Sequence, residues 1–481
     1  MAATDDNHHH PSLKRQLGLV QATCYITGGI IGVGIFIGPA TVLKGAGSSV
    51  GVSLSIWVVS GFLMFCGAMC YAEYGSRVPK SGGTYTYIRE AFGELAGFVF
   101  LWTQLVLVRP LAVLLSCLAA AEYIIRPVFL TCPDMAPADA KILLGISILV
   151  LTVAVNCYSV NYGAYYQTLA TFCKVAALVV IIIGGFVHLA KGNTDHFDEP
   201  FKTNSDISPT SVSLTIYVCF YAYMGWDNVT VATEEVTNPK RNIPLAILFG
   251  LAISTVIYLS ANVAYHAALT NNEIMSGVAV AVMFGERVLG PVRWIIIPCI
   301  GISAAGISNA IIFTSSRINF VGGRDGLFPE LFSMVNINRR TPMPSIITLG
   351  ILAMIYMCIA DFVTILGAYS FLRAGGEAVA IFGFRRIRRK HPATEKTFVT
   401  PTVIPIIYSV ASIALACVAI GSNPRSFLPG LIIALLGIPL YYLARTQWWR
   451  NGLPARLHYK ITKLCNAVLL CDIASKAINE E

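Results

Sequence analysis

Charge is scarce in this chain. Asp, Glu, Lys and Arg make up 12% of its 481 residues, about half the share that covers an ordinary soluble domain. That shortage excludes a water-soluble globular protein of this length. Apolar residues fill the gap: they are 56% of the chain, with a mean hydropathy of +0.68, and they fall in blocks of roughly 20, the length that crosses a bilayer. The marks of several other classes are also missing. No HExxH, no pair of catalytic carboxylates and no Ser/His or Cys/His constellation falls at membrane depth, which argues against an intramembrane enzyme. No repeated carbonyl motif or ring of like charge suits an ion filter, which argues against a channel. The polar head ends in Lys14-Arg15, and the apolar block behind it is too long and too glycine-rich for a cleavable signal peptide. The first span is therefore expected to be retained. Glycosylation acceptors are absent too, because the single N-x-S/T triplet begins at Asn228, inside an apolar run.

The predicted class is an all-α integral membrane protein of twelve spans. Its net charge of +9 matters less than where the charge lies. With the N-terminus in the cytoplasm, most Lys and Arg fall in cytoplasmic segments, and only Arg109, Lys174 and Arg373 lie within spans. FRRIRRKH (Phe384 to His391) and the basic tail with Arg445, Arg450, Arg456, Lys460 and Lys463 are the strongest cytoplasmic anchors, read as lipid-surface contact. Of 13 cysteines, only Cys132 falls in a segment this topology puts outside. By itself it is read either as an intermolecular disulfide or as a free thiol.

Residues 1–16 form a polar head, and His8 to His10 there are read as solvated tail rather than metal ligands. Span 1 is expected at about 17–40 and span 2 at 50–75. Pro79 and Gly82-Gly83 predict a turn or re-entrant segment over Arg77 to Arg89 rather than a helix. Span 3 (about 95–125) carries Arg109-Pro110, and span 4 ends near 158. Span 5 is expected to begin near Thr168 with Lys174 about two turns inside. Span 6 begins near 211 and span 7 covers 245–268. Span 8 covers 292–315, spans 9 and 10 lie within 343–384, span 11 covers 402–420 and span 12 covers 427–446. Pro454 to Ala474, with basic and apolar residues interleaved, predicts a helix in the membrane interface.

Two spans carry glycine-rich interruptions: TGGIIGVGIFIGP (Thr27 to Pro39) in span 1 and YAYMGWDN (Tyr221 to Asn228) in span 6. An opened helix in hydrocarbon must face protein, water or a ligand. The two breaks lie five spans apart, and because five is odd the two five-helix sets insert in opposite directions, as in an inverted repeat. The division expected is a 17–190 repeat, an inverted 211–384 repeat, two further spans at 402–446 and a cytoplasmic tail at 447–481. Unwinding frees amide N–H groups on one side of a gap and carbonyls on the other. A zwitterionic amino acid uses both, donors for its carboxylate and acceptors for its ammonium. Gly32, Gly34 and Gly225 let backbone approach a ligand. The competing reading makes Gly28, Gly32 and Gly38 small residues for close helix packing.

IIGVGIF (Ile30 to Phe36), SGGTYTYI (Ser81 to Ile88), YMGWDN and TEEVTNP in and after span 6, and FTSSRINFVGGRDGLFPE (Phe313 to Glu330) together resemble the amino acid/polyamine/organocation superfamily. More narrowly they resemble the light subunits of heteromeric amino acid transporters, the L-type group, over residues 14–450. The resemblance implies two inverted five-helix repeats of the LeuT-like kind plus two helices, and amino acid exchange at the plasma membrane with no enzymatic step, metal or cofactor. It further implies that Cys132 bonds a glycosylated single-span heavy subunit. The amides of Gly32, Val33 and Gly34 would hold the substrate carboxylate, and the carbonyls of Ile30 and Tyr221 its ammonium. Lys174 would link the span 1 break to span 8 in place of a sodium ion, making transport sodium-independent. Val33 stands where many relatives have Ser or Ala, Tyr221 where a Phe or Trp gate is usual, and Met224 where a small residue is common.

Selectivity is expected from Tyr221, Met224, Asp227 and Arg373, with Gly225, Trp226 and Tyr369 as further substrate-binding residues. Asp227 resembles relatives that exchange cationic for neutral amino acids, whereas Arg373 falls where the cystine/glutamate exchanger has an arginine. Pairing of Arg373 with Glu377 at i,i+4 or with Asp227 across the bundle would neutralise both. The expected substrate is a neutral, large L-amino acid. The alternatives are a cationic or anionic substrate, or a sensor that binds amino acids without moving them.

Overall fold

The computed structural model describes residues 18–32, 34–78, 82–125, 129, 137–203, 207–231, 236–276, 280–339, 341–359, 362–394, 397–422, 424–446 and 453–473. Val33 and Cys132 lie outside them, as do the polar head and its histidines. The described chain is almost wholly helical. It begins with α1 (Leu19–Ile30) and α2 (Gly34–Gly45), two half-helices bent by 48° at a short break. There follow α3 (Val50–Arg77), α4 (Thr84–Phe92), α5 (Glu94–Thr103), α6 (Arg109–Ile125), α7 (Ala138–Tyr158) and α8 (Val160–Ala190). The second half contains α9 (Pro209–Tyr223), α10 (Asn228–Val231), α11 (Pro239–Ala268), α12 (Asn271–Met275), α13 (Val280–Phe284) and α14 (Arg293–Arg324). The chain closes with α15 (Met343–Ile359), α16 (Phe362–Phe382), α17 (Phe384–Lys390), α18 (Val403–Ser422), α19 (Pro424–Leu435), α20 (Gly437–Ala444) and α21 (Leu453–Leu469).

Among the described residues, six helices are long and apolar enough to cross a membrane, and the bent α1–α2 pair makes a seventh. The core is built where α11 packs on α3 and α1, and α14 on α6 and α8. Trp57, Tyr223 and Tyr258 stack edge to face at its centre, where the buried aromatic area dominates packing.

Four expectations are corrected. First, α8 starts at Val160, eight residues before Thr168, with the Ser159 hydroxyl capping it by accepting the Asn161 N–H. Lys174 therefore sits roughly 21 Å along that helix at about 1.5 Å per residue, too deep to snorkel back to the N-terminal end. Second, the expected turn does not extend to Arg89: Gly82 and Gly83 take φ of 118° and 54°, and from Thr84 the chain is helical. Tyr85, Tyr87 and Ile88 are buried there, and Tyr87 stacks on Tyr71. Third, α14 does not stop at 315 but runs on through TSSRINFVGG to Arg324. Fourth, the helix expected over Pro454 to Ala474 stops at Leu469. Beyond α21, strand β2 (Cys471–Ile473) pairs antiparallel with β1 (Met334–Asn336) in the loop after α14, a long-range pairing with no local pattern to signal it.

Candidate functional site

Span 1 opens because its sequence offers no side chain that would seal it. The backbone leaves helical geometry at Ile31, whose ψ is 93°, and Gly32 follows before α2 begins. In the second break, α9 ends at Tyr223, Met224 is extended, and Gly225 has a φ of 116°, which a residue with a Cβ rarely adopts. The two breaks touch. A Cβ on Gly225 would lie 2.6 Å from the Gly29 carbonyl oxygen, and one on Gly34 would fall on the backbone of Ala222.

Between the breaks lies a cavity of about 90 Å³. Span 1 contributes Gly29, Ile30, Gly32 and Gly34; span 6 contributes Tyr221, Met224 and Gly225. Val108 joins from just before α6, α6 adds Arg109, Ala112 and Ser116, α14 adds Ile307 and Ile311, and α16 adds Tyr369 and Arg373. Tyr221 and Tyr369 meet edge to face with ring centroids 5.7 Å apart. One turn of π-helix, Gln104–Val108, precedes Arg109, and Arg109 Nε donates to Gln104 Oε1 at 3.0 Å across it. Such bulges redirect side chains at functional sites.

Predicted residues divide between the cavity and its supports. Ile30, Gly32, Gly34, Tyr221, Met224, Gly225, Tyr369 and Arg373 line it, whereas Trp226, Asp227 and Lys174 do not. The Trp226 ring is fully buried behind the break and stands edge-on to Tyr71 at 4.8 Å. Asp227 is buried too, and Arg373 Nη2 donates to its Oδ2 at 2.5 Å. Arg373 also reaches Glu377 Oε1 at 3.3 Å, one turn further along α16. The two pairings weighed as alternatives from sequence both form, so one guanidinium is held by two carboxylates. Lys174 Nζ donates to the carbonyl of Gly28 at 2.8 Å, putting a fixed cation at the C-terminal end of the first half-helix.

Tyr258 of α11 escaped the sequence reading. Its hydroxyl lies 2.7 Å from the Ile30 carbonyl and 2.7 Å from the Ala222 carbonyl, one from each broken helix. A hydroxyl has one proton, so it serves one carbonyl at a time and leaves the other available to a donor such as an ammonium. The Tyr221 carbonyl, by contrast, accepts the Met224 N–H at 3.4 Å. Nothing local in an apolar helix sets Tyr258 apart from its other tyrosines. The inert sequon is also explained: Thr230 is fully buried and its hydroxyl donates to the Asp227 carbonyl.

A bundle of apolar helices with two helices broken in contact around a small cavity has the form of a membrane carrier. The profile of the amino acid permease family matches residues 17–440. The chain is 39% identical to the cystine/glutamate transporter of Homo sapiens over 464 residues, 95% of this chain and 90% of that one. It is 36% identical to the b(0,+)-type amino acid transporter 1 of Mus musculus, covering 94% and 92% of the two chains, and 35% identical to the Asc-type amino acid transporter 1 of Mus musculus, covering 92% and 82%. The chain belongs to the amino acid permease family, among the light subunits of heteromeric amino acid transporters. It is a multi-pass membrane protein of amino acid exchange, and the relatives named are transporters, not enzymes.

Proposed function

We propose that this protein exchanges neutral L-amino acids across the plasma membrane, without sodium, as the light subunit of a heavy-chain complex. The observation that carries neutrality is the double pairing of Arg373 with Asp227 and Glu377. A guanidinium already held by two carboxylates has little left to offer an anionic side chain, and the second negative charge is offset by Arg109, which also lines the cavity. Asc-type and b(0,+)-type relatives agree with amino acid exchange, while the cystine/glutamate relative supplies the anionic alternative. The cavity revises the size expected. About 90 Å³ is less than the roughly 150 Å³ void that admits benzene. A small side chain suits this cavity, and a large one requires Tyr221, Tyr369 or Met224 to swing aside.

In this reading the two breaks are matching positions of a five-plus-five inverted repeat, 17–190 and 211–384, with spans 11 and 12 completing twelve and both termini cytoplasmic. Amides at Gly32, Val33 and Gly34 receive the substrate carboxylate. The carbonyls near Ile30, bridged by Tyr258, receive its ammonium, and Lys174 takes the place of a coupling cation. Cys132 bonds the glycosylated heavy subunit.

The deciding measurement is uptake into proteoliposomes, empty or preloaded, over a series from alanine to phenylalanine with lysine and glutamate, with and without sodium. Preloading should accelerate neutral uptake. Equal rates in empty and loaded vesicles would refute exchange, and a preference for glutamate or cystine would refute the neutral substrate. Met224→Gly should shift preference towards larger side chains. Cys132→Ser should remove a reducible high-mass band from cells, and its persistence would refute the partner.

A further inference from the structure

A second concavity lies on the outer face of the bundle, away from the carrier site. It is a groove of about 610 Å³ where the end of α7 meets the start of α8, lined by Ala154, Val155, Tyr158, Tyr162, Tyr166 and Arg339. α7 is the least covered of the candidate spans within this chain, with 22% of its apolar window buried. Tyr158 and Tyr162 are 54% and 59% exposed, with ring centroids 5.7 Å apart. Tyrosines clustered at the end of an apolar helix mark the depth where hydrocarbon gives way to headgroups.

Arg339 gives the groove its chemistry. Its guanidinium lies over the Tyr158 ring at 4.2 Å, which orients the flat cation but leaves its N–H edge unused. Among the described residues its side chain has neither a carboxylate nor a hydrogen-bond acceptor, and no acidic residue lines the groove. An exposed arginine is ordinarily mobile, and fixing one is entropically unfavourable. Here the loop beneath it is anchored on both sides. The Arg339 N–H donates to Asn336 Oδ1 at 2.7 Å, and Asn336 Nδ2 donates to the Leu469 carbonyl at 2.6 Å. The β1–β2 pairing holds the strand before it, and Thr341 Oγ1 donates to the Cys157 carbonyl at 3.0 Å after it.

We propose that this groove binds an anionic glycerophospholipid, its phosphate on the N–H edge of Arg339 and an acyl chain along Ala154 and Val155. The volume lies within the range of about 300–1,000 Å³ usual for small-molecule sites. A fixed, uncountered guanidinium favours an anionic headgroup over one that carries its own ammonium beside the phosphate. Under the orientation proposed above, the site opens to the cytoplasmic leaflet, where anionic lipids concentrate. The C-terminal strand then has a role in the membrane: it builds the floor on which the headgroup's arginine stands.

The test uses the full chain in nanodiscs of phosphatidylcholine with a minor share of phosphatidylserine, reading lipid that stays with the protein by mass spectrometry. Detection is blind to leaflet, so an inverted topology or a failed exchange assay leaves the result interpretable. Wild type should retain phosphatidylserine at least threefold above its bulk share. Arg339→Gln and Tyr162→Ala should return it to the bulk ratio with an unchanged melting temperature, and Arg339→Lys should retain part of it. Undiminished enrichment in Arg339→Gln, or no enrichment in wild type, overturns the proposal. A photoreactive residue at position 162 in cells should label phospholipid. Labelling of a membrane protein instead would show that a partner helix fills the groove, and overturns it equally.

Discussion

Replacing Gly225 by alanine should cripple exchange while adding a single carbon. The added Cβ would stand 2.6 Å from the Gly29 oxygen, 2.7 Å from its carbonyl carbon and 3.1 Å from the Ile30 nitrogen. All three are backbone atoms of the span 1 break, so no side chain can rotate away. To reach ordinary contact at 3.4 Å the two breaks must part by roughly 0.8 Å, at a place where close-packed neighbours resist. The backbone is strained as well, since a φ of 116° is unfavourable for alanine by about 1–3 kcal/mol. Together the two terms come to about 2–4 kcal/mol. At about 1.4 kcal/mol per tenfold, a carrier that must re-form this contact in each cycle slows by roughly 30- to 700-fold. The assay is initial exchange rate in preloaded proteoliposomes, normalised to monodisperse protein, with melting temperature measured in parallel. Gly421→Ala in α18, whose Cβ would meet nothing within 4 Å, is the control and should be neutral or stabilising by about 0.5–1 kcal/mol. A Gly225→Ala protein that melts as wild type does and exchanges within about threefold of it would refute the claim that the breaks work in contact.

Tyr258→Phe removes the hydroxyl shared by the Ile30 and Ala222 carbonyls. Because the single proton serves one carbonyl at a time, its loss leaves one more buried carbonyl unpaired, unfavourable by about 1–3 kcal/mol, so the melting temperature should fall; a wild-type melting temperature would show that the bridge is ornamental. Asp227→Asn leaves Arg373 with Glu377 alone. Breaking a buried pair is destabilising by about 3–5 kcal/mol, so the melting temperature should fall and glutamate uptake should rise relative to leucine. An unchanged ratio of the two rates would contradict the account of neutrality.

The parts of the site made of backbone were legible early. Gly32, Gly34 and Gly225 announce themselves because glycine in a membrane helix needs a reason, and two such interruptions five spans apart suggest a pair. Arg373 and Asp227 were legible as costly charges, but sequence left open which partner each would take; the bundle brought both carboxylates to one guanidinium. Trp226 was misread as a lining residue, since its neighbours in sequence do line the cavity while its own ring turns back to Tyr71. The helix at Thr84 was hidden by the glycines before it.

The medium and the broken helices follow from apolar run length and glycine placement, which act locally, through the hydrocarbon's demand that every backbone polar group be satisfied. Which surfaces meet is set by the packing of the bundle. The Tyr258 bridge, the double pairing of Arg373, the contact of Gly225 with Gly29 and the tail strand under Arg339 all join residues far apart in the chain. Their geometry depends on how helices cross and how closely they pack, and no periodicity records that.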